Sequence, residues 1–534
     1  MTRISPSNLR CSDVRDHASS RSILSSPALN AALLCVFLGA VDLTVIAAIL
    51  PRMITDIGVN TSDIDRYIWI VSGYLIAYIV AIPIVGRISD LAGRKYTFLV
   101  SLGIFLIGSI VCGLAQSLDG LIVGRSIQGF GGGGLLPVAL ALTGDTLPRG
   151  RRLAGIGVVS AVDTLGWVIG PVYGAVVEFL ASGTSESWRW VFWINVPLLL
   201  IAAGFVLLKF PAESPGRSLA ALRRLDVPGA ILLATMLVAV NLALSAGGEI
   251  GSATGSGLRA LGGTANPLAR HVPALLVLTL FALAGLIVWE RRSSHPILPV
   301  SLLANRTFAL ISLANFLVGA VLMVGMVDVP VVVALVSDPK RTSDISAGML
   351  ACYTTGIMLM SLSSASLSRR LGTQRVLLGG LLLATLGYGL LYPLLDGDRI
   401  ALMIPGLIIA GCGLGLLIAP LTAIALDEAA DADHGAAAST ALVCRLLGMT
   451  LGISALTALA VKRLQTLTNR LEPVARQPDE ATAAFLLRQQ QFLENHAIPL
   501  SIQVVQETFL IAAAIALVAT IPVLLISRRD QRRP

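Results

Sequence analysis

Three aspartates and two arginines interrupt long apolar runs of the sequence. The acids are Asp42, Asp163 and Asp328, and the bases are Arg125 and Arg445. An unpaired charge at the centre of a membrane helix costs about 2.5–3.5 kcal/mol, so these side chains should face the protein interior and a partner. A carboxylate placed there can bind a proton on one side of a membrane and release it on the other. The three aspartates and Arg445 are therefore the candidates for proton coupling.

Each acid also has a plainer interpretation. Asp42 suits a structural hydrogen bond or a substrate contact equally well. Asp163 lies one turn before a glycine motif, where Arg445 is a suitable partner. Asp328 is near the outer end of its apolar run, where a carboxylate can simply reach the membrane interface. The sequence leaves these alternatives open.

Other residue types that carry chemistry are scattered. The five histidines fall in loops and tails, and the six cysteines lie mostly in apolar runs without metal-ligand spacing. They are His17, His271, His295, His434 and His496, and Cys11, Cys35, Cys112, Cys352, Cys412 and Cys444. No Gly-x-x-x-x-Gly-Lys-Ser/Thr phosphate loop occurs. We therefore expect free thiols, no metal, no cofactor and no enzymatic activity, with the proton-motive force as the energy source.

A dense group of glycines and charges follows the second apolar run. Gly86 and Gly93 permit close helix approach and a sharp bend. Asp90 can cap a neighbouring helix N-terminus or pair with an arginine, while Arg94 and Lys95 anchor the turn at an anionic membrane surface. A simple positively charged loop would not need an acid before its two bases. The segment is therefore interpreted as a gating turn.

Two further apolar runs carry packing motifs. In the fourth run, Arg125 and Gln128 place an arginine and an amide inside an apolar helix, and Gly129 follows them. In the fifth run, glycines four residues apart and a proline beside them make a close-packing face next to a kink. This motif consists of Gly166, Gly170, Pro171 and Gly174.

The elements that position these residues are membrane spans. Of 534 residues, 55% are hydrophobic and only 13% are charged, and a water-soluble fold could not cover so much apolar surface. Runs of about twenty apolar residues match a hydrocarbon core of roughly 30 Å, and about fourteen spans are predicted. Their ranges are 30–51, 67–86, 97–116, 119–142, 154–180, 191–209, 228–246, 273–290, 308–335, 346–367, 376–394, 400–424, 436–461 and 502–526.

The charged residues predict the orientation of the chain. The net charge of +8 lies between the apolar runs rather than on one soluble face, which argues against nucleic-acid binding. With an even number of spans both termini lie on one side, and the loops on that side carry most of the Lys and Arg. We expect a multi-pass protein of a bacterial inner membrane with both termini cytoplasmic. One loop on that side, 427–434, is acidic and has no Lys or Arg.

The motifs together resemble those of the major facilitator superfamily, and within it the fourteen-span drug:proton antiporter group of the EmrB/QacA type. Gly86–Lys95 is similar to the loop motif between spans two and three, Arg125–Gly129 to the fourth-span motif, and Gly166–Gly174 to the fifth-span motif of exporters. Ala40–Pro51 and Trp188–Pro197 resemble that group's first-span signature and the start of its sixth span. The chain is also similar to actinobacterial drug and lipid exporters of the group.

The resemblance implies an all-α integral membrane protein with the major facilitator fold, in which two six-helix bundles are related by a pseudo-two-fold axis and two helices are inserted between them. The second-half counterpart of the gating turn, Ser368–Gly372, keeps its bases but lacks the acid, so gating should rest mainly on the first half. The expected organisation is a cytoplasmic tail (1–29), a first bundle (30–210), a linker with the two inserted transmembrane helices (211–300), a second bundle (301–526) with an extracytoplasmic segment (461–500), and a cytoplasmic tail (527–534).

The function implied by the resemblance is proton-coupled multidrug efflux by alternating access. Such an antiporter exports amphipathic antibiotics or dyes, such as tetracycline-like compounds, and confers antibiotic resistance. The alternative is export of an amphiphilic lipid to the outer side of the membrane, with a periplasmic lipoprotein as partner. The expected partners are a small amphipathic substrate, protons and the lipid bilayer, and no nucleic acid. An uptake symporter, a channel or a sensor fits the motifs less well.

Overall fold

The computed structural model describes most of the chain as helices. The described residues are 26–57, 64–181, 186–210, 225–247, 271–293, 304–337, 342–395, 400–430, 433–468 and 498–526, with 302, 485, 488, 491 and 495. They contain no strand, and the predicted all-α class is confirmed. Four predicted segments lie wholly or mostly outside the described residues. They are the N-terminal tail, the loop 247–271, the stretch 469–497 and the tail 527–534.

Seven helices make up the first bundle. They are α1 (Pro27–Ile57), α2 (Ile64–Ala92), α3 (Arg94–Leu114), α4 (Leu118–Gly133), α5 (Leu135–Thr146), α6 (Arg149–Leu180) and α7 (Arg189–Lys209). The helices α4 and α5 together make one span. Gly93 between α2 and α3 has a φ of 104°, which glycine adopts readily. We call the side of the helical domain that bears this turn the Gly93 side, and the side at the other end of α3 the Ala115 side.

Two more helices follow the first bundle, α8 (Val227–Gly247) and α9 (Val272–Glu290). They are tied together where Trp289 Nε1 donates a hydrogen bond of 2.8 Å to Asp226 Oδ1. Leu233, Leu237 and Leu286 of this pair are buried in the same core as the first bundle. The pair therefore packs on that bundle, with α8 in contact with both α2 of the first bundle and the helix of residues 434–468.

The described residues of the second bundle include seven helices with full bounds. They are α10 (Arg306–Val336), α11 (Thr342–Leu371), α12 (Thr373–Leu394), α13 (Met403–Asp427), α14 (His434–Thr468), α15 (Ile498–Val518) and α16 (Thr520–Leu525). A short 3₁₀ turn, Ile400–Leu402, precedes α13. Gly372 between α11 and α12 has a φ of 87°. Both bundles thus make the same kind of glycine turn between their second and third spans.

The helices account for the predicted spans. Within the described residues, 13 helical stretches are long and apolar enough to cross a membrane, and Val227–Ala243 is a shorter apolar helix. Each of these stretches overlaps one predicted span. Several helices continue past the predicted span ends: α1 ends at Ile57, α2 at Ala92 and α14 at Thr468, where the predicted spans end at 51, 86 and 461. Residues 462–468 contain neither Gly nor Pro, and Arg463 pairs with Glu507 of α15 at 2.9 Å, so the helix continues where the apolar run stops.

Glycines set the packing of the first and fifth spans in each bundle. Gly166 and Gly170 of α6 lie against α1, and Gly448 and Gly452 of α14 lie against α10. A Cβ added to Gly166 would lie 2.5 Å from a side chain of α1, and one added to Gly452 would lie 2.7 Å from α10. A larger residue would therefore separate the helices. Because the spacing is the same, α6 and α14 occupy equivalent places in the two bundles.

Candidate transport site

Asp163 and Arg445 line one cavity between the two bundles. Asp163 is three residues before Gly166 on α6, and Arg445 is three residues before Gly448 on α14. The two side chains therefore occupy equivalent places, an acid in the first bundle and a base in the second. Their charged atoms are more than 4.0 Å apart, and Arg445 Nη1 is buried with no hydrogen-bond partner among the described residues. The suggested pair is close in space but is not a direct ion pair.

The rest of the cavity wall is mostly apolar. The cavity has a volume of about 20 Å³, and its other lining residues are Ser160, Thr164, Trp167, Leu322, Met326, Thr354, Ile357 and Ile418. Thr164 donates its hydroxyl hydrogen to Ser160 O at 2.9 Å, and Thr354 donates to Leu350 O at 2.7 Å. These two hydroxyls are left with acceptor capacity only. Arg445, the indole of Trp167 and the hydroxyl of Ser160 are the donor groups on this wall that no such bond occupies among the described residues.

Asp42 of α1 is the centre of a second buried cluster, inside the first bundle. Its carboxylate accepts hydrogen bonds from Arg125 Nη1 at 2.7 Å, Gln128 Nε2 at 2.9 Å and Asn195 Nδ2 at 2.8 Å. Arg125 also donates to Gln128 Oε1 at 2.6 Å, and its guanidinium lies 4.0 Å from the ring centre of Tyr74. Asp42 is therefore the partner that the sequence required for Arg125, and the network ties α1 to α4 and α7.

The two acids differ in how they are held. Asp42 is 1% exposed and has three side-chain donors around it, so a change in its protonation would disturb several charge-assisted hydrogen bonds. Asp163 faces the cavity and makes no hydrogen bond or ion pair within the described part of the chain. The geometry therefore suits Asp42 to a structural lock and Asp163 to proton exchange.

Sequence reasoning missed three members of the Asp42 cluster. Asn195 lies within the Trp188–Pro197 motif, and its amide within an apolar run was a signal that could have identified it. Tyr74 and Ser109 had no such signal, although Ser109 Oγ accepts from Gln128 Nε2 at 2.9 Å. The fourth-span glycine has a packing role, because a Cβ on Gly129 would collide with the backbone carbonyl oxygen of Tyr74. The contact brings α2 and α4 close enough for the Tyr74 ring to reach Arg125.

The gating-turn residues join the two bundles on the Gly93 side. The carboxylate of Asp90 accepts hydrogen bonds from Gly435 N at 2.9 Å and Ala436 N at 3.0 Å, at the first turn of α14. A carboxylate is favoured there because the helix N-terminus carries a partial positive charge. Arg94 Nη1 pairs with Asp90 Oδ1 at 2.7 Å. Gly86 leaves room for this contact, since a Cβ there would lie 2.8 Å from Gly435 O.

Four residues that sequence reasoning did not select extend this contact: Arg87, Asp145, Asp433 and His434. Arg94 Nε donates to Asp145 Oδ2 at 3.0 Å, and Asp145 Oδ1 lies 3.1 Å from His434 Nδ1. Arg87 Nη1 pairs with Asp433 Oδ1 at 2.7 Å. The signal for Asp433 and His434 was the acidic loop 427–434 on the side rich in Lys and Arg. These contacts, with the Asp90 cap, close the Gly93 side between α2 and α14.

The other predicted residues lie apart from these clusters. Lys95 donates to Leu207 O at 2.8 Å within the first bundle. Pro171 lies inside α6, and Gly174 is buried one turn further along. Asp328 Oδ2 accepts a hydrogen bond of 2.5 Å from Thr508 of α15. That carboxylate therefore has its contact within the second bundle, and the structure does not bring it to Asp42 or to the cavity.

Metal ligands are not clustered in the described part of the chain. No group of three or more His, Cys, Asp or Glu side chains there is arranged to hold a metal ion. The described cysteines are free thiols: Cys35, Cys112, Cys352, Cys412 and Cys444.

Comparison with known proteins identifies relatives over nearly the whole length. The model of the family described as Major Facilitator Superfamily matches residues 32–453. A triacylglyceride transporter of Mycolicibacterium hassiacum is 32% identical over 541 residues, covering 97% of this chain and 94% of the relative. A triacylglyceride transporter of Mycobacterium tuberculosis is 33% identical over 528 residues, covering 94% and 95%.

Solved structures similar to this chain are more distant in sequence. A human organic anion transporter aligns with a TM-score of 0.58 at 14% identity, covering 92% of this chain and 99% of that one. A proton:xylose symporter of the same superfamily aligns with a TM-score of 0.55 at 14% identity, covering 95% and 97%. At this identity the likeness concerns the fold.

Proposed function

The chain belongs to the Major Facilitator Superfamily and is a multi-pass membrane transporter rather than an enzyme, and on that premise we propose that it exports a triacylglycerol-like lipid from the inner membrane. Transporters of this kind need no cofactor. The observation that carries the proposal is the full-length similarity to relatives named triacylglyceride transporters. These relatives favour the lipid alternative over the multidrug antiporter that the sequence motifs first implied.

The cavity supports a lipid as substrate. Five of its ten lining residues are leucine, methionine, isoleucine or tryptophan, whose side chains suit acyl chains. Its volume is about 20 Å³, close to the space that one water molecule needs. A lipid therefore requires a wider conformation of this cavity.

Alternating access is the proposed route. The Asp90, Arg87 and His434 contacts close the Gly93 side, and we assign that side to the cytoplasm because its loops are rich in Lys and Arg. Both termini are then cytoplasmic, and the membrane is a bacterial inner membrane. Loading of the substrate requires these contacts to separate, and release follows on the opposite side after they re-form. The first bundle (30–210) and the second (301–526) move against each other as two bodies.

Proton coupling is assigned to the intramembrane acids. Asp163 is the first candidate because it faces the cavity opposite Arg445, whereas Asp42 and Asp328 are each held by hydrogen bonds. A potential of about 100 mV acting on one charge supplies about 2.3 kcal/mol, enough for roughly a 40-fold gradient. The coupled reaction is an antiport, in which a proton enters as a lipid leaves.

A periplasmic lipoprotein is the proposed acceptor of the lipid. A triacylglycerol has negligible solubility in water and needs a carrier once it leaves the bilayer. The helix α14 continues past its apolar part to Thr468, so it rises out of the hydrocarbon region on the Ala115 side. The outer segment 461–500 is therefore the part of the chain that we assign to contact with this partner.

The test is transfer of a fluorescent triacylglycerol from vesicles that contain the protein to acceptor liposomes that contain a lipid-binding protein. We expect transfer to depend on an imposed proton gradient and to be lost in Asp163→Asn. The matched control is Asp119→Asn, an exposed acid at the start of α4, which should transfer lipid normally.

A panel of dyes and tetracycline-like drugs is assayed in the same vesicles. Proton-dependent dye efflux without lipid transfer would overturn the lipid proposal in favour of drug export. Lipid transfer that does not depend on the proton gradient would support a lipid transporter but overturn the antiport assignment.

A further inference from the structure

One N–H donor of Arg445 makes no hydrogen bond within the described structure. Its Nη1 atom is buried without a hydrogen-bond partner among the described residues, and the acid of the cavity, Asp163, is not within 4.0 Å. A buried charged donor left unpaired is unfavourable, so its position is explained if an acceptor reaches it at some stage of the cycle. Two acceptors can do so: the Asp163 carboxylate, or an oxygen of the substrate.

The chemistry of the wall restricts what that substrate oxygen can be. The hydroxyls of Thr164 and Thr354 donate to their own helices and therefore offer only acceptor capacity. Arg445 can donate and cannot accept. The wall carries one acid and one base, Asp163 and Arg445, so it has no net charge that would favour a cationic or an anionic group. An acceptor-rich and uncharged group is the best match, and the ester carbonyls of an acylglycerol are such groups.

We propose that Arg445 binds an ester carbonyl oxygen of the lipid, with Trp167, Leu322, Met326, Ile357 and Ile418 around the adjoining acyl chains. The inference rests on the proposed function, because it assigns the recognised part of that lipid. The site would then bind acyl esters in preference to ethers, plain hydrocarbons and cationic drugs.

The same contact explains how substrate and proton influence each other. Asp163 and Arg445 occupy equivalent places in the two bundles and face the same cavity. When an ester occupies the Nη1 donor of Arg445, the Asp163 carboxylate cannot bond to that atom. When the lipid leaves, the donor is available to the carboxylate again. The lipid and the negative charge of Asp163 therefore compete for one guanidinium.

The test compares two lipids that differ only in the carbonyl. Purified protein in nanodiscs is loaded with radiolabelled trioleoylglycerol, which is displaced by unlabelled trioleoylglycerol or by the trialkyl ether analogue. A hydrogen bond to a charged group predicts that the ether competes at least about tenfold less well. Arg445→Met should abolish this preference by weakening the ester alone. Arg445→Lys, which keeps a charged donor, should retain part of it.

The matched control is Arg375→Met, an exposed arginine on α12 of the same bundle, which should keep the full ester preference. Equal displacement by ester and ether in the unmodified protein would overturn the inference and leave lipid binding, and so the proposed function, intact. If neither lipid binds, the result counts against the proposed function itself. If Arg445→Met does not fold, the comparison of the two lipids on the unmodified protein still decides the matter.

Discussion

On the Gly93 side the bundles meet along two seams, α2 against α14 and α6 against α11, and the two are made of different contacts. The first seam is charged: Asp90 caps α14, and Arg87 pairs with Asp433. The second is a close contact of small residues, in which a Cβ on Gly157 would lie 2.7 Å from Ser361 O. The same fold repeat therefore supports two kinds of closure.

The difference can be traced to the turns at the equivalent glycines. Asp90 stands three residues before Gly93, whereas Arg369 stands three residues before Gly372. The side chain of Arg369 is exposed and its hydrogen bond of 3.3 Å goes to Ser366 of its own helix. A base in that position cannot cap a helix N-terminus, since the positive end of the helix dipole repels it. The lesson is that a pseudo-symmetric fold does not need a symmetric gate.

The largest effect is expected from breaking the charged seam. The Asp90 carboxylate both caps α14 and pairs with Arg94, and Asp90→Asn removes its charge from both contacts. Loss of one partner of a buried pair costs about 3–5 kcal/mol. We expect lipid transfer to fall by more than tenfold. A cysteine at Thr354 in a variant without native cysteines should also react much faster with a maleimide added from the Gly93 side. Asp119→Asn serves as the control, and unchanged labelling in Asp90→Asn would show that the charged seam does not hold the gate.

The packed seam should be the next most sensitive. In Gly157→Val the side chain collides with α11, and overpacking of this kind costs about 1–3 kcal/mol. Labelling at the same cysteine should rise by about tenfold. Gly150→Val is the matched control on α6, because a Cβ at Gly150 meets nothing within 4 Å. An effect larger than that of Asp90→Asn would reverse the ranking of the two seams.

A smaller effect is expected from one contact at the edge of the charged seam. His434→Leu removes the hydrogen bond to Asp145 and leaves the Asp90 cap in place. A single bond of this kind contributes about 1 kcal/mol, so labelling should increase by about fivefold. His271→Leu, an exposed histidine before α9, should behave like the unmodified protein. Should His434→Leu match Asp90→Asn, the histidine and not the cap would be the main contact.

The smallest effect is expected from Arg369→Gln. Its side chain is exposed and bonds only to its own helix in the described structure, so transfer and labelling should change by less than about twofold. The arginine to compare with it is Arg87, whose pair with Asp433 crosses the first seam. In Arg87→Gln, lipid transfer should fall and labelling at the Thr354 cysteine should rise. Equal losses in both variants would mean that the second turn also takes part in gating.

How far the site could be predicted depended on whether the signal was local. The Asp90 turn could be selected from the sequence, because an acid, three bases and two glycines within ten residues suit few other roles, and the structure places Asp90 against the first turn of α14. Asp145 and His434 were not selected, since they lie far from that turn in sequence and become its neighbours only when α5 and α14 pack against it. Arg125 was known to need an acid, yet three acids were available and the sequence did not decide among them.

The sequence by itself determined the helical membrane architecture, the approximate position of each span and the superfamily. These features follow from the length and composition of apolar runs, because the bilayer allows almost nothing but helices across it. Only the tertiary structure decided that Asp42 pairs with Arg125 and that Asp163 faces an unpaired Arg445 across a cavity. Such pairings depend on the rotation of each helix about its axis and on contacts between residues hundreds of positions apart, and a single helix carries no information about either.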